Sequence, residues 1–369
     1  MRGKVLILVN HVLAIYNFRK ELVEELVNQG YEVIISSPYG ERIDVLIKMG
    51  CKFIDTHVER RQTNIIKDLK LLLYYIKILK KIKPDVVLTY TIKPNIYGGI
   101  VCRIFKKKAI HTVTGLGSVY IRNIRQKKLI VLLNRLAFKN AALVFFLNED
   151  NKNYYRSIEI TSPNQSVDVV PGSGVNLKEF QFSDYPQTDK IVFTFIARII
   201  KDKGIEEYLL ASEKLKKIYA NVIFQVVGFF DEDKYVSIVS DFEKRGIIEY
   251  LGERNDIPNV MRQSNCIVLP SYGEGRGTVL QEGAAIGRAL ITTNIYGCKE
   301  NVDDGINGYL CNVADVESLA HAMGKFIILT TEEKVYMGKK SREKAVREFD
   351  RRRVIEIYMS SIKKVMSIY

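Results

Sequence analysis

The sequence of 369 residues is poor in the side chains that build disulfides and metal sites. Its five cysteines are scattered without paired spacing, which excludes a disulfide framework and fits a reducing compartment. Only four histidines occur and none lies near a cysteine pair, so no metal site is predicted. No G-x-G-x-x-G follows the first predicted strand, which disfavours an NAD-type nucleotide site.

Long hydrophobic runs are absent as well. Unbroken apolar runs in the first half, such as the one at residues 71–76, are far shorter than the roughly 20 residues that cross a bilayer. The first four residues lead directly into a strand pattern, so we expect no cleavable signal peptide. These absences favour a cytoplasmic protein. A content of 47% apolar and 27% charged residues favours a folded chain, long enough for two domains.

The net charge of +14 is confined to the first half of the chain. Residues 1–180 hold 29 basic and 15 acidic side chains, whereas residues 181–369 hold 27 of each. A one-sided basic surface indicates an acidic partner: nucleic acid, anionic lipid or a phosphorylated substrate. The basic half lacks the interleaved aromatic residues that stack on bases, so no nucleic acid partner is expected.

Strand patterns alternate with helix patterns in both halves, which indicates two doubly wound α/β sheets. A polar segment at residues 181–190 is predicted to link them. We expect domains at residues 1–180 and 181–349, with an amphipathic helix at residues 350–369 that rejoins the first domain. The strands are predicted at residues 5–9, 31–36, 51–58, 85–90, 109–113, 140–148, 167–170, 191–196, 222–227, 247–251, 266–269 and 289–293, the last clear strand.

A glycine-rich loop follows the apolar run at residues 266–269 and leads into a helical segment. Backbone N–H groups of such a loop and of the helix N-terminus suit a phosphate. Glu274 lies on this loop and Glu282 in the first turn or so of the helix, at the sheet edge where ligands bind. Taken singly, each glutamate is more simply explained as a solvated surface charge.

Two cations occupy a strand-to-helix turn in the second half. Arg198 and Lys203, with four residues between them, would neutralise a diphosphate. An exposed basic loop is the simpler explanation of either residue alone.

Two stretches of the first half are candidates for binding. One is the loop at residues 10–19, and the other is the glycine-bearing loop that follows the fifth strand. His111 could act as a general base. It lies within the strand pattern, however, which favours a packed histidine.

Two basic segments also stand out. Arg122, Arg125, Lys127 and Lys128 precede the apolar residues 129–133, a pattern that fits a membrane-surface helix and a solvated helix face equally well. For the cluster of Lys77, Lys80, Lys81 and Lys83, a solvated face is favoured.

Together, Arg198-x-x-x-x-Lys203-Gly204 and Glu274-x(7)-Glu282 resemble the motifs of glycosyltransferase family 4. The resemblance covers nearly the whole chain, including residues 15–19 and 115–118. It implies the GT-B fold, an α/β architecture with two Rossmann-like βα domains facing across a cleft. Similar bacterial members build capsule, O-antigen or protein-linked glycans on a lipid diphosphate. Many members have proline where this sequence has Gly277.

The resemblance implies a retaining transferase of hexose or N-acetylhexosamine that needs no metal or cofactor. The nucleotide-sugar donor, most often UDP-linked, would bind the C-terminal domain. There Arg198 and Lys203 would hold the diphosphate, Glu274 the sugar hydroxyls and Glu282 the ribose. The other donor-binding candidates are Gly228, Gly273, Gly275, Arg276, Gly277, Thr278 and Val279.

The acceptor, a glycan on a polyprenyl diphosphate, would bind the N-terminal domain. The enzyme would then lie peripherally on the anionic inner face of the cytoplasmic membrane. The acceptor-side candidates are Asn17, Arg19, His111, Thr114, Gly115 and Gly117.

Two other functions are open at this point. A UDP-sugar 2-epimerase has a similar fold, but it needs catalytic histidines and carboxylates around the nucleotide-sugar, and the second half has only His321. A non-catalytic basic binding protein would not require the full set of arginine, lysine and two glutamates.

Overall fold

A computed structural model describes residues 2–58, 65–115, 124–186 and 188–367, without the side chains of residues 65 and 124–127. The chain divides into two compact units. The first contains residues up to 173 together with residues from 352 onward, and the second contains residues 174–351. Among the described residues, no helix is both long enough and apolar enough to cross a membrane.

The first unit has a parallel sheet in the order β3-β2-β1-β4-β5-β6-β7. Its strands are β1 Lys4–Leu8, β2 Glu32–Ser37, β3 Lys52–Asp55, β4 Val86–Tyr90, β5 Lys108–Val113, β6 Leu143–Phe146 and β7 Val167–Val169. Its helices are α1 Val12–Asn28, α2 Ile43–Lys48, α3 Ile65–Ile82, α4 Gly99–Ile104, α5 Ile124–Phe138 and α6 Glu149–Ser157, with a π-helical turn at Pro94–Gly98.

Helices cover both faces of this sheet because alternate strand residues point to opposite faces and both sets are apolar. Val5 and Ile7 pack with α1, α2 and the C-terminal helix. Leu6 and Leu8 pack with α3 and α4 on the other face. Phe146 packs there with α5 and α6.

The second unit has a parallel sheet in the order β10-β9-β8-β11-β12-β13. Its strands are β8 Ile191–Ile196, β9 Val222–Val227, β10 Glu249–Tyr250, β11 Cys266–Leu269, β12 Ala289–Thr293 and β13 Gly308–Cys311. Its helices are α7 Ile205–Lys216, α8 Lys234–Lys244, α9 Ile257–Gln263, α10 Thr278–Ile286, α11 Val316–Ile327 and α12 Thr331–Lys344, and α13 Arg351–Ser367 then runs back along the first unit.

The structure corrects three details of the prediction. The first helix begins at Val12, within the stretch predicted as a loop at residues 10–19, because the backbone N–H of Leu13 donates to Nδ1 of His11 and caps the helix (3.2 Å). The sequence pattern missed β13, a short strand that is only partly buried. Residues 174–180 belong to the second unit rather than the first, because Val175 bridges Asp350 and Phe180 packs in the second unit's core.

Candidate functional site

The candidate site lies at the carboxyl ends of β8 and β11, which are neighbours at the centre of the second sheet. The strand order reverses between them, and ligands of open α/β sheets bind at such a reversal. The loops that follow the two strands are in contact. The backbone N–H of Tyr272 and Oγ of Ser271 both donate to the carbonyl of Asp202 (2.9 and 3.0 Å).

An ion pair joins the two predicted functional loops. Nζ of Lys203, in the turn after β8, donates to Oε1 of Glu274, in the loop after β11. Both side chains are largely buried, so water screens the pair less than it would at the surface. The loop after β12 supports this arrangement, since the backbone N–H of Glu274 donates to the carbonyl of Tyr296 (3.2 Å). The structure therefore brings the predicted diphosphate cation and the predicted sugar carboxylate into direct contact.

Arg198 also has a carboxylate partner in this structure. Its Nη1 lies 2.6 Å from Oδ2 of Asp231, in the loop that follows β9. The Arg198 side chain is 41% exposed, which leaves room for a ligand to approach its guanidinium. Asp231 was not predicted, although its place just after a buried strand at this sheet edge could have indicated it.

The predicted glycine-rich loop joins β11 to the N-terminus of α10. Gly277 caps the helix in the left-handed region. The first backbone N–H groups of a helix, here those of Thr278 and Val279, have no acceptor within the helix and can bind an anion. Gly273 and Gly275 lie earlier in this partly exposed loop.

Arg276 points to an aromatic ring. Its guanidinium carbon lies 5.9 Å from the centre of the Phe349 ring. Its Nε is buried and makes no hydrogen bond within the described part of the chain. Burial lowers the pKa of Arg276, and Glu300 and Glu348 partly offset this effect.

Glu282 lies in the second turn of α10, slightly further along than predicted. Burial raises the pKa of its carboxyl to about 8, an effect that Arg351 reduces and Glu179 reinforces. Unlike an exposed glutamate, Glu282 therefore titrates near neutral pH. A ligand that donates hydrogen bonds to the carboxylate would favour its ionised form.

Close backbone contacts fix two glycines at this edge. A Cβ on Gly228 would lie 1.8 Å from the carbonyl oxygen of Ala197, and one on Gly204 would lie 2.0 Å from that of Pro270. Gly204 also has a φ of +75°. Neither position accommodates a side chain unless the backbone moves, so the absence of a side chain at both glycines allows the loops of the site to approach this closely.

We expect Gly204→Ala to destabilise the second unit by roughly 3 kcal/mol or more, because backbone strain and a steric clash add. Gly246→Ala is the matched control, since Gly246 has a φ of +69° with nothing within 4 Å of the added Cβ. Its cost should be limited to about 1–2 kcal/mol of strain. Denaturant unfolding of both variants measures the difference, and equal losses would contradict the close contact with Pro270.

In the first unit, Arg19 is buried rather than acceptor-facing. Its guanidinium carbon lies 5.3 Å from the Tyr90 ring and 5.1 Å from the Tyr358 ring. Its Nη2 donates to the hydroxyl of Tyr358 on α13 (3.4 Å). Arg19 therefore fastens α13 to α1, a role that no local sequence signal indicates. Asn17, two residues earlier, is exposed.

His111 is a packed histidine, as its place within a strand indicates. The side chain is fully buried, stacks on Phe138 at 4.7 Å, and lies 2.6 Å from the hydroxyl of Thr89 through Nδ1. Burial lowers its pKa to about 3, so it is neutral at physiological pH. Thr114 and Gly115 follow β5 at the sheet edge, whereas Gly117 lies outside the described residues.

Across the described residues, no group of three or more histidine, cysteine, aspartate or glutamate side chains is placed to hold a metal ion. All five cysteines are buried and free.

The fold is that of the glycosyltransferases. A crystal structure of Anabaena HepE in complex with UDP and glucose matches with a TM-score of 0.81 at 17% identity, covering 98% of this chain and 100% of that chain. The predicted GT-B fold, with a parallel α/β sheet in each of its two units, is confirmed.

The family is shown by matches to both halves. Residues 4–148 match the model of the "Glycosyl transferase 4-like" domain, and residues 178–344 match that of "Glycosyl transferases group 1". The chain belongs to this glycosyltransferase family, as its motifs predicted, and is an enzyme of the hexosyltransferase type.

Two curated relatives are similar over most of their length. The N,N'-diacetylbacillosaminyl-diphospho-undecaprenol alpha-1,3-N-acetylgalactosaminyltransferase of Campylobacter jejuni is 27% identical over 96% of each chain. The UDP-Gal:alpha-D-GlcNAc-diphosphoundecaprenol alpha-1,3-galactosyltransferase of Escherichia coli is 28% identical over 79% of this chain and 78% of its own. These matches do not favour an epimerase or a non-catalytic binding protein.

Proposed function

We propose that this enzyme transfers a hexose or N-acetylhexosamine from a UDP-sugar to a glycan carried on a polyprenyl diphosphate, with retention of anomeric configuration. The contact between Lys203 and Glu274 at the sheet reversal carries the proposal, because it places a cation and a carboxylate where donor diphosphate and donor sugar would meet. The names of the two relatives support the lipid-linked acceptor, and UDP in the HepE complex supports the nucleotide.

Leaving-group stabilisation is the main electrostatic need of this reaction, since the departing nucleoside diphosphate gains negative charge. Lys203, Arg198 and the backbone N–H groups at the start of α10 would supply positive potential for this charge. In this proposal a metal ion is not required. Lys203 and Arg198 already have carboxylate partners, so the incoming diphosphate exchanges one anion for another at each cation.

The two glutamates have different roles. Glu274 would accept hydrogen bonds from donor-sugar hydroxyls once the diphosphate engages Lys203. Glu282 would accept hydrogen bonds from the ribose hydroxyls. One glutamate is thus assigned to the nucleoside, so a hydrolase-like pair of carboxylates acting on a single glycosidic bond is a poor fit.

The reaction can be tested directly. The protein is incubated with individual UDP-sugars and a short-chain polyprenyl-diphosphate glycan, and the products are analysed by mass spectrometry and NMR. We expect one donor to give an extended acceptor with the donor's anomeric configuration. An epimerised sugar nucleotide with unchanged acceptor would instead identify an isomerase, and an inverted linkage would contradict retention.

We expect UDP affinity to rise with pH if Glu282 binds the ribose as a carboxylate. The carboxyl has a pKa of about 8 in the free protein, so below this value binding must first remove a proton. Affinity should rise about tenfold between about pH 7 and pH 9 and then level off. Calorimetry at several pH values, in buffers of different ionisation enthalpy, also counts the protons released.

Glu282→Gln is the matched control for this pH dependence. It should bind UDP more weakly at high pH and lose most of the dependence, because the amide does not titrate. If the variant keeps the tenfold rise, the titrating group is not Glu282 and the ribose assignment fails.

Membrane attachment forms part of the proposal. Helices α3, α4 and α5 form one layer of the basic first unit, because α4 packs against both of the others. Large apolar residues of all three helices are exposed. They are Ile66, Leu69, Leu73, Tyr74, Ile104, Leu129, Leu132 and Leu136. Exposed lysines surround them, including Lys70, Lys77 and Lys128. Basic residues beside an apolar strip suit the surface of an anionic bilayer, at roughly 1 kcal/mol per nearby cation.

We expect the protein to sediment with vesicles that contain anionic phospholipid and not with neutral vesicles, and to dissociate as salt rises. Replacing Leu129 and Leu132 together by serine should weaken this binding, because both side chains are exposed and would enter the bilayer surface. Leu210→Ser is the control, an exposed helical leucine of the second unit. Equal binding of the double variant and wild type would show that this helical layer does not contact the membrane.

A further inference from the structure

A basic cavity lies at the C-terminal ends of α5 and α6. This is the edge of the first sheet opposite the carboxyl ends of its strands. Its volume is about 760 Å³. The lining residues that matter here are Arg135, Lys139, Arg156, Glu159, Thr161 and Ser162. Helices of a parallel sheet run antiparallel to the strands, so this cavity lies at the amino-terminal edge of the sheet, away from the carboxyl edge at which substrates are expected.

The cavity has an excess of positive charge. Arg135 is paired with Glu159 (3.2 Å) and also donates to the carbonyl of Ile158. Lys139 and Arg156 make no side-chain hydrogen bond or ion pair with the residues that the structure describes. Two cations therefore remain for an anionic ligand.

A buried hydroxyl provides an independent indication of a ligand. Thr161 is only 2% exposed, and its Oγ1 has no hydrogen-bond partner among the described residues. A buried hydroxyl without a partner is costly, and it is expected to be satisfied by something that enters the cavity. A phosphate oxygen beside two cations would accept its hydrogen bond.

The outer face of α5 continues from this cavity. At 100° per residue, Lys128, Arg135 and Lys139 form one strip of the helix, and Leu129, Leu132 and Leu136 form the strip beside it. All three leucines are at least 41% exposed. A helix with this pattern lies along a bilayer surface with leucines among the acyl chains and cations at the level of the phosphates.

We infer that the cavity binds the phosphate group of an anionic phospholipid, held by Lys139, Arg156 and the hydroxyl of Thr161. The inference rests on the proposed membrane contact and makes it specific. A single headgroup is seated at the end of α5, in addition to the diffuse attraction between a basic surface and an anionic membrane.

The test compares variants by co-sedimentation with phosphatidylcholine vesicles that contain phosphatidylglycerol, at fixed ionic strength. Lys139→Gln with Arg156→Gln removes two cavity cations. Lys80→Gln with Lys81→Gln removes the same charge from α3 in the same helical layer. We expect the cavity pair to weaken binding at least about fivefold more than the α3 pair, because only the cavity cations would hydrogen-bond a phosphate. Equal losses would overturn the inference.

Thr161→Val separates a seated headgroup from diffuse charge, since it keeps shape and net charge but removes the hydroxyl. We expect about a tenfold or greater loss of vesicle affinity, from one hydrogen bond to a charged group. Unchanged vesicle affinity would overturn the inference. Unchanged melting temperature and UDP binding establish that each variant is folded.

Two further measurements identify the source of the phosphate and show whether a negative result contradicts the headgroup site alone or the membrane contact as well. Short-chain phosphatidylglycerol should shift the amide NMR signals of Thr161 and Ser162 at concentrations where inorganic phosphate does not. If inorganic phosphate shifts them equally well, the lipid assignment is wrong. If wild type ignores anionic vesicles, the proposed membrane contact itself fails. If wild type binds and the cavity variants match their controls, only the headgroup site fails.

Discussion

Replacing Lys203 by alanine should weaken UDP binding by about 1.5–3 kcal/mol and lower kcat/KM still further. UDP affinity falls because a charge-assisted contact with the diphosphate is removed. The value of kcat/KM falls further because leaving-group charge grows in the transition state, where a fixed cation stabilises it most. In addition, Glu274 would keep a largely buried carboxylate without its cation, beside the incoming diphosphate. Calorimetry with UDP and steady-state kinetics measure the two losses.

Lys201→Ala is the matched control, because Lys201 is an exposed lysine in the same short helical turn. It should leave both quantities nearly unchanged. Lys203→Ala should weaken the binding of UMP much less than that of UDP, since UMP lacks the second phosphate. Equal losses for UMP and UDP would show that Lys203 does not bind the diphosphate.

Glu274→Gln should reduce kcat on the order of 100-fold or more while UDP affinity stays the same or increases. The sugar hydroxyls lose an ionised acceptor, which affects the transition state of transfer. UDP carries no sugar on its diphosphate, and the change releases Lys203 from its carboxylate partner. Kinetics at saturating donor and calorimetry with UDP separate the two effects.

The exposed Glu253 provides a control of the same chemistry, and Glu253→Gln should leave kcat unchanged. A double-mutant cycle between Lys203→Ala and Glu274→Gln adds a second measure. The two residues are in direct contact, so their effects on UDP binding should be strongly non-additive. The assigned roles would have to be exchanged if Glu274→Gln abolished UDP binding but preserved turnover at saturating donor.

The sequence was sufficient to predict the two parallel sheets, because the periodicity of apolar residues reflects local geometry and burial. Buried parallel strands are largely apolar on both faces, so β1, β4, β8 and β11 appear as apolar runs with at most one polar residue each. Short, partly exposed strands lack this signal, which is why β13 was missed and only Glu249–Tyr250 formed within the predicted strand at residues 247–251.

The sequence also indicated which loops to examine, because every parallel strand delivers its following loop to one edge of the sheet. The resemblance to glycosyltransferase family 4, which rests on Arg198, Lys203, Glu274 and Glu282, implied that both loops serve one donor site. The family matches then agreed with the glycosyltransferase motifs.

Only the tertiary structure decided which charges meet. Lys203 and Glu274 are 71 positions apart, and Arg198 and Asp231 are 33 apart, so each pairing depends on strand order rather than on local pattern. Arg19 is buried because Tyr358 on α13 returns across 339 positions to cover it. The pKa of Glu282 near 8 likewise arises from burial. Local sequence sets secondary structure through short-range sterics and hydrophobic periodicity, whereas ion pairing and desolvation depend on neighbours that long-range packing supplies.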